Sequence, residues 1–149
     1  MQSILDDAKL RWQVLHVHEE GQYTGVIQEV KTTFFYYPFA IQASYELKDA
    51  LMIPDLLTLA AMKAYALGRR AKWKDYVDLY FIMHDYYTLS EIIQKSQEIF
   101  WVYFQSAQFI EQLAYHEDIN YDEVVEYLIP DPPTDAQVKA FLIERAIED

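Results

Sequence analysis

The sequence contains no cysteine and only three glycines. Without cysteine there is no disulfide framework and no thiolate metal site, so a reducing, cytoplasmic setting is the expectation. Three scattered glycines cannot form the glycine-rich loop that holds nucleotide phosphates in many enzymes. The sequence also has no nucleophile elbow and no zinc-binding motif. Any chemistry must therefore depend on charged side chains placed by the fold.

Cations and long apolar runs are scarce as well. Lysine and arginine number 12 against 24 acidic residues, which gives a net charge of −12. Such an acidic chain is a poor general ligand for nucleic-acid phosphates, which need local cations. The longest uncharged stretch, residues 32–45, is short and contains Pro38, and the first residues lack the features of a signal peptide. We therefore expect a soluble protein with no membrane partner and no strong nucleic-acid signal.

The residues that are present predict a folded α+β protein. Hydrophobic residues make up 52% of the 149 positions, and this length predicts one domain over residues 1–149. Residues 11–18 alternate between two faces, and residues 23–37 are rich in β-branched and aromatic types. We therefore expect residues 1–52 to be β-rich, with an antiparallel β-hairpin or small sheet after a short helix at residues 3–10.

Helix signals dominate residues 53–149, which are expected to form a bundle-like helical part. Asp55 can cap a first helix, and Gly68 can weaken or end it. Two capping boxes, each a threonine followed three residues later by Glu or Gln, predict further helices that begin at Thr88 and Thr134. One or two additional helical turns are expected within residues 121–128.

Four charged residues in the first helical hairpin form the candidate site. Lys63 is the only charged residue of the first predicted helix, which is apolar on every side, so its ammonium needs a partner or a function. Arg70 follows after seven residues, which two helical turns would place on the same face. Asp75 and Asp78 begin the next predicted helix, over residues 73–84, and their spacing puts them on one face. The pattern predicts that the four charges converge.

A denser group of cations surrounds this site, and two interpretations of it stay open. The group comprises Arg69, Arg70, Lys72 and Lys74. One interpretation is a solvated helix end, where cations complement the helix dipole. The other is a phosphate-facing patch on an otherwise acidic surface.

Several segments of the chain match a known pattern when they are taken together. They are residues 25–38, residues 60–63 (AAMK), Arg70, residues 74–80 (KDYVDLY) and residues 87–91 (YTLSE). In this combination they resemble the C-terminal half of AbiEii/AbiGii-type nucleotidyltransferase toxins, which belong to type IV toxin–antitoxin and abortive-infection systems. The resemblance extends from about Tyr23 onward.

The resemblance implies a truncated nucleotidyltransferase core and assigns roles to the four charged residues. Lys63 and Arg70 would bind the phosphates of a nucleotide, and Lys63, Asp75 and Asp78 would be the catalytic residues. Enzymes of this family use Mg²⁺ and a nucleoside triphosphate. Cations aimed at phosphate oxygens suit phosphoryl transfer, which depends mainly on positioning and charge stabilisation.

The chain also departs from the family. It lacks the Gly-Ser or Gly-Gly-Thr turn and the Asp-x-Asp pair that binds the metal, and adjacent Asp6 and Asp7 stand in the wrong context. Thr58 occupies a position where the family commonly has Asp. We therefore expect no metal ligands and a toxin-family protein that is catalytically incomplete by itself, without productive binding of Mg²⁺ and nucleotide.

Two alternatives remain. The chain is one part of a split or longer nucleotidyltransferase, or it is a non-enzymatic interaction module in which the four charges form a structural network. An exposed sheet edge would also favour self-association or an antitoxin partner.

Overall fold

The computed structural model describes residues 11–18 and 22–148, with the side chains of residues 16–18 left out. The expected helix at residues 3–10 lies outside this range. The described residues form two compact units, divided between Ala40 and Ile41. Antiparallel strands come first and five α-helices follow among the described residues, so the α+β prediction is confirmed.

The first unit is a three-stranded antiparallel sheet in the order β1-β2-β3. Its strands are β1 (Trp12–His18), β2 (Gln22–Ile27) and β3 (Val30–Phe34). The predicted small sheet is therefore confirmed, but residues 23–37 form two strands and not one. The chain reverses at Gln28 and Glu29, whose φ angles are 50° and 70°. Two-residue hairpin turns need such angles, and the sequence lacks the Asn-Gly pair that usually signals them.

Gly25 is required where β1 and β2 approach each other most closely. It lies opposite Val14, next to a β-bulge in β1. A Cβ atom at position 25 would lie only 2.9 Å from the carbonyl oxygen of Gln13. Glycine, which has no Cβ atom, is the residue that fits this close approach of the two backbones.

The second unit begins with a short β-hairpin and continues with helices. The elements are β4 (Tyr45–Leu47), β5 (Leu51–Ile53), α1 (Leu56–Leu67), α2 (Trp73–Asp85), α3 (Leu89–Phe100), a 3₁₀ turn (Trp101–Tyr103), α4 (Ser106–Ala114) and α5 (Asp135–Glu148). The β4–β5 hairpin and helix α4 were not predicted from the sequence. The helical turns expected within residues 121–128 are wrong, since that stretch contains no helix.

The predicted helix boundaries are confirmed by the hydrogen bonds at the helix ends. The Asp55 carboxylate accepts a 2.7 Å hydrogen bond from the Thr58 amide, and Gly68 ends α1. Thr88 and Glu91 exchange the two hydrogen bonds of a capping box. Thr134 forms the same reciprocal pair with the side chain of Gln137. These ends are fixed by residues three positions apart, which is why the sequence reveals them.

Helix α1 lies in the centre of the second unit. It packs against α2, α3 and α4, and α5 covers α2 and α4. Three alanines of α1, Ala60, Ala61 and Ala64, are fully buried and let the neighbouring helices come close. The core also takes in Tyr76 and Leu79 of α2. Lys63 therefore belongs to a helix that packs against three others, which makes the partners of its ammonium group decisive.

None of the helices that the structure describes has the length and apolar character needed to cross a lipid bilayer.

Candidate functional site

The four charged residues predicted from the sequence come together where α1 faces the first turns of α2. The Lys63 ammonium lies 2.8 Å from Oδ1 of Asp75 and 2.5 Å from Oδ2 of Asp78. The Arg70 Nε lies 3.3 Å from the other oxygen of Asp75. Asp75 thus receives a cation at each oxygen, and Lys63 is held between two carboxylates.

Asp75 is the centre of this network and its most enclosed member. Its side chain has no exposed surface, whereas that of Lys63 is 21% exposed. Asp75 occupies the first turn of α2, where the partial positive charge of the helix N-terminus favours a carboxylate. Its Oδ2 accepts no hydrogen bond from the described residues, so only the ion pair with Arg70 compensates that atom.

The two carboxylates keep the Lys63 ammonium charged. Burial acts to lower the pKa of Lys63, but the hydrogen bonds and the charges of Asp75 and Asp78 outweigh it and raise the pKa above its ordinary value. A charged ammonium is thereby fixed inside an apolar helix, in one orientation.

Arg70 reaches the network by a route that differs from the predicted one. Helix α1 ends at Leu67, so Arg70 lies in the turn between α1 and α2 and not two helical turns along the face of Lys63. Its backbone amide is bonded to the carbonyl of Ala66. Half of its side chain remains exposed. Of the two cations in the network, Arg70 is therefore the one that solvent or a ligand can reach more easily.

A second charged cluster lies beside the first and was missed in the sequence. Glu123 accepts hydrogen bonds from Lys72 through Oε1 and from Lys74 through Oε2. The two lysines lower the pKa of the Glu123 carboxyl to about 2. Glu123 lies in the long connection after α4, and its lysines come 51 and 49 residues earlier. The sequence pattern around each residue does not predict a contact between residues so far apart in the chain.

Arg69 completes the group of cations and also has partners within the protein. Its guanidinium lies over the ring of Tyr65, 3.6 Å from the ring centre, and donates to the carbonyls of Tyr65 and Tyr103. The contact with the Tyr65 carbonyl is that of a cation at a helix C-terminus, one of the two interpretations that the sequence left open.

The residues of the candidate site do not fit a Mg²⁺ ion. The carboxylates of Asp75 and Asp78 already face the Lys63 ammonium, and Arg70 occupies the other side of Asp75, so cations stand where a metal would have to bind. Within residues 11–18 and 22–148, no group of three or more histidine or acidic side chains is arranged to hold a metal. Asp6 and Asp7 lie outside the described residues.

Comparisons with protein-family models, with curated proteins and with solved structures find no match to this chain.

Proposed function

We propose that this protein is a nucleotidyltransferase-like member of the AbiEii toxin type, which keeps the phosphate-binding half of a nucleotide site and is catalytically incomplete alone. The observation that supports the proposal is the convergence of Lys63 and Arg70 on one buried carboxylate, Asp75. The helical hairpin thereby brings two cations together, and nucleotide phosphates require such positive charge.

The proposed roles follow from charge and exposure. Lys63 is fixed and charged, so it would supply a preoriented positive charge to a phosphate oxygen. Arg70 is half exposed and would turn its guanidinium from Asp75 to a phosphate, where it forms two parallel hydrogen bonds. Asp75 and Asp78 would hold the Lys63 ammonium in place. When bound, Mg²⁺ neutralises phosphate charge in enzymes of this kind, and other residues would have to hold it.

A second candidate function is an interaction module without catalysis. It is favoured by the mutual pairing of the four residues, since Lys63, Arg70, Asp75 and Asp78 each have an oppositely charged partner within the network. Such a network can be purely structural. Nucleotide binding distinguishes the two candidates.

The test is calorimetric titration of the full chain with ATP, GTP, CTP and UTP, each with and without Mg²⁺. We expect one nucleotide to bind, and Arg70→Ala to weaken that binding at least about tenfold, since charge-assisted hydrogen bonds to phosphate are lost. Arg70 is the preferred variant because half of its side chain is exposed, and Lys63→Ala serves as the second. Both residues pair with the buried Asp75, so circular dichroism must show that each variant is folded before its binding is compared. Lys95→Ala is the control, because Lys95 pairs with Glu98 on the surface of α3.

Absence of binding by all four nucleotides would refute the retained nucleotide site and leave the interaction module. Binding that Arg70→Ala and Lys63→Ala leave unchanged would show that the nucleotide binds elsewhere.

A further inference from the structure

The connection between α4 and α5, residues 115–134, is unusually long for a segment without a helix or strand of its own. Connections of about this length in compact domains usually have a function or are disordered. This one is fastened to the beginning of α2. The Trp73 amide donates to the Asn120 carbonyl at 3.0 Å, and the Asn120 amide donates to the Ala71 carbonyl at 2.6 Å. We call residues 115–134 the strap.

Glu123 makes the second attachment of the strap, through Lys72 and Lys74. The two lysines flank Trp73, which is buried, while their own side chains remain partly exposed. Each ammonium contacts a different oxygen of the Glu123 carboxylate. The two ammonium groups are therefore spaced to hold one anionic group by two of its oxygens.

The surroundings favour an anion with more charge than a carboxylate. Together with the neighbouring Arg69, the first and second clusters contain five cationic side chains and three carboxylates, a net formal charge of +2 in a chain of net charge −12: Lys63, Arg69, Arg70, Lys72, Lys74, Asp75, Asp78 and Glu123. A phosphoryl group offers three acceptor oxygens and up to two negative charges, whereas Glu123 offers two oxygens and one charge.

We propose that Lys72 and Lys74 form an anion-binding site for a phosphoryl group, which Glu123 occupies from within the chain until a ligand displaces it. Displacement breaks the ion pairs of Glu123 and leaves the strap held to α2 by the backbone of Asn120 and by ring contacts such as that of Tyr121 with Trp73. The inference is independent of the proposed nucleotide site, because it requires neither Lys63 nor Arg70.

Trp73 reports whether Glu123 has been displaced. Its indole ring lies against Tyr121 of the strap, with ring centres 5.4 Å apart. Release of Glu123 loosens Tyr121 over Trp73, so the NMR signal of the Trp73 indole N–H should shift. The Trp101 side chain is exposed and lies in the 3₁₀ turn before α4, so its indole signal serves as an internal reference.

The test is titration of the full chain with pyrophosphate. Calorimetry measures the affinity, and the NMR signal of the Trp73 indole N–H shows whether Glu123 has been displaced. Glu123→Gln removes the competing charge, and we expect it to raise the affinity for pyrophosphate at least about tenfold. Glu123→Asp keeps the charge but is one methylene too short to reach both lysines, so it should also raise the affinity. Glu126→Gln, a charge change on an exposed strap residue, should change the affinity less than about twofold.

Adding Lys72→Ala or Lys74→Ala to Glu123→Gln should abolish the gain. Equal affinities of the wild type, Glu123→Gln and Glu123→Asp would overturn the proposal, and so would a gain that survives removal of both lysines. Inorganic phosphate and ATP, titrated into Glu123→Gln with and without Arg70→Ala, separate the sources of the phosphoryl group. If the site takes a free anion, inorganic phosphate and ATP should both still bind when Arg70→Ala is added. If Arg70→Ala abolishes the binding of ATP but not of inorganic phosphate, the nucleotide spans both clusters.

Discussion

The Lys63 ammonium lies 2.8 Å from Oδ1 of Asp75, and this ion pair joins the central helix α1 to the first turn of α2. The Asp75 side chain is completely buried, so its charge depends on Lys63, Arg70 and the N-terminus of α2 for compensation. Lys63 has a second carboxylate in Asp78, which is 48% exposed. The two aspartates therefore contact the same ammonium from very different environments.

This difference in burial predicts a difference in stability. We expect Asp75→Asn to lower the free energy of unfolding by about 3 kcal/mol, because it removes the buried carboxylate that both Lys63 and Arg70 contact. Asp78→Asn should cost less than about 1 kcal/mol, since water already solvates that carboxylate. Urea denaturation of both variants measures the two values, and equal losses would show that burial does not set the strength of these pairs.

The raised pKa of Lys63 predicts a loss of stability at alkaline pH. Because the folded-state pKa of Lys63 lies above its ordinary value of 10.5, the stability that Lys63 contributes is fully present below pH 10.5 and is lost as the pH rises through the folded-state pKa. Burial also raises the pKa of Tyr76 to about 12, so ionisation of this tyrosine lowers the stability of the protein over the same alkaline pH range. The Lys63→Met variant keeps the pH dependence of stability that comes from Tyr76 and removes the part that comes from Lys63.

The wild type should therefore lose more stability above pH 10.5 than Lys63→Met does. Denaturation at a series of pH values gives both curves. If the curves of stability against pH were parallel for the two proteins, Asp75 and Asp78 would not stabilise the charged form of Lys63 in the folded protein.

The close approach of β1 and β2 predicts that Gly25→Ala destabilises the first unit. The added Cβ would lie 2.9 Å from the Gln13 carbonyl oxygen, a backbone atom that cannot move without shifting β1. We expect a cost of about 1–3 kcal/mol, as for other overpacked sites. Amide hydrogen exchange in β1 and β2 reports it.

Gly68→Ala is the matched control for Gly25→Ala. Gly68 has a φ of −65°, and its nearest atom to a new Cβ is 3.9 Å away. The change at position 68 should be neutral or slightly stabilising, by up to about 1 kcal/mol. If the amides of β1 and β2 exchanged faster in Gly68→Ala than in Gly25→Ala, the steric argument would be contradicted.

Features that depend on neighbouring residues were predictable from the sequence. Asp55, Thr88 and Thr134 begin helices because each side chain bonds an amide three residues later. Helix α4 was missed since Gln105, at its N-cap, makes no side-chain capping bond. The turn at Gln28 and Glu29 was missed for a similar reason, because neither residue favours the positive φ angles that the turn requires.

The candidate site divides in the same way. The convergence of Lys63, Arg70, Asp75 and Asp78 was predictable, because they lie within one helical hairpin. The route of Arg70 was not, since Gly68 ends α1 before the second turn that the spacing assumed. The contacts of Glu123 with Lys72 and Lys74 were hidden, because they join segments about 50 residues apart.

The sequence by itself determined that a lone lysine would lie in an apolar helix and would need compensating charge, since that follows from composition and helical period. Only the tertiary structure decided which carboxylates provide that charge, how deeply Asp75 is buried, and that Glu123 occupies the neighbouring lysines. Burial and long-range pairing depend on how distant segments pack, and local spacing does not encode them.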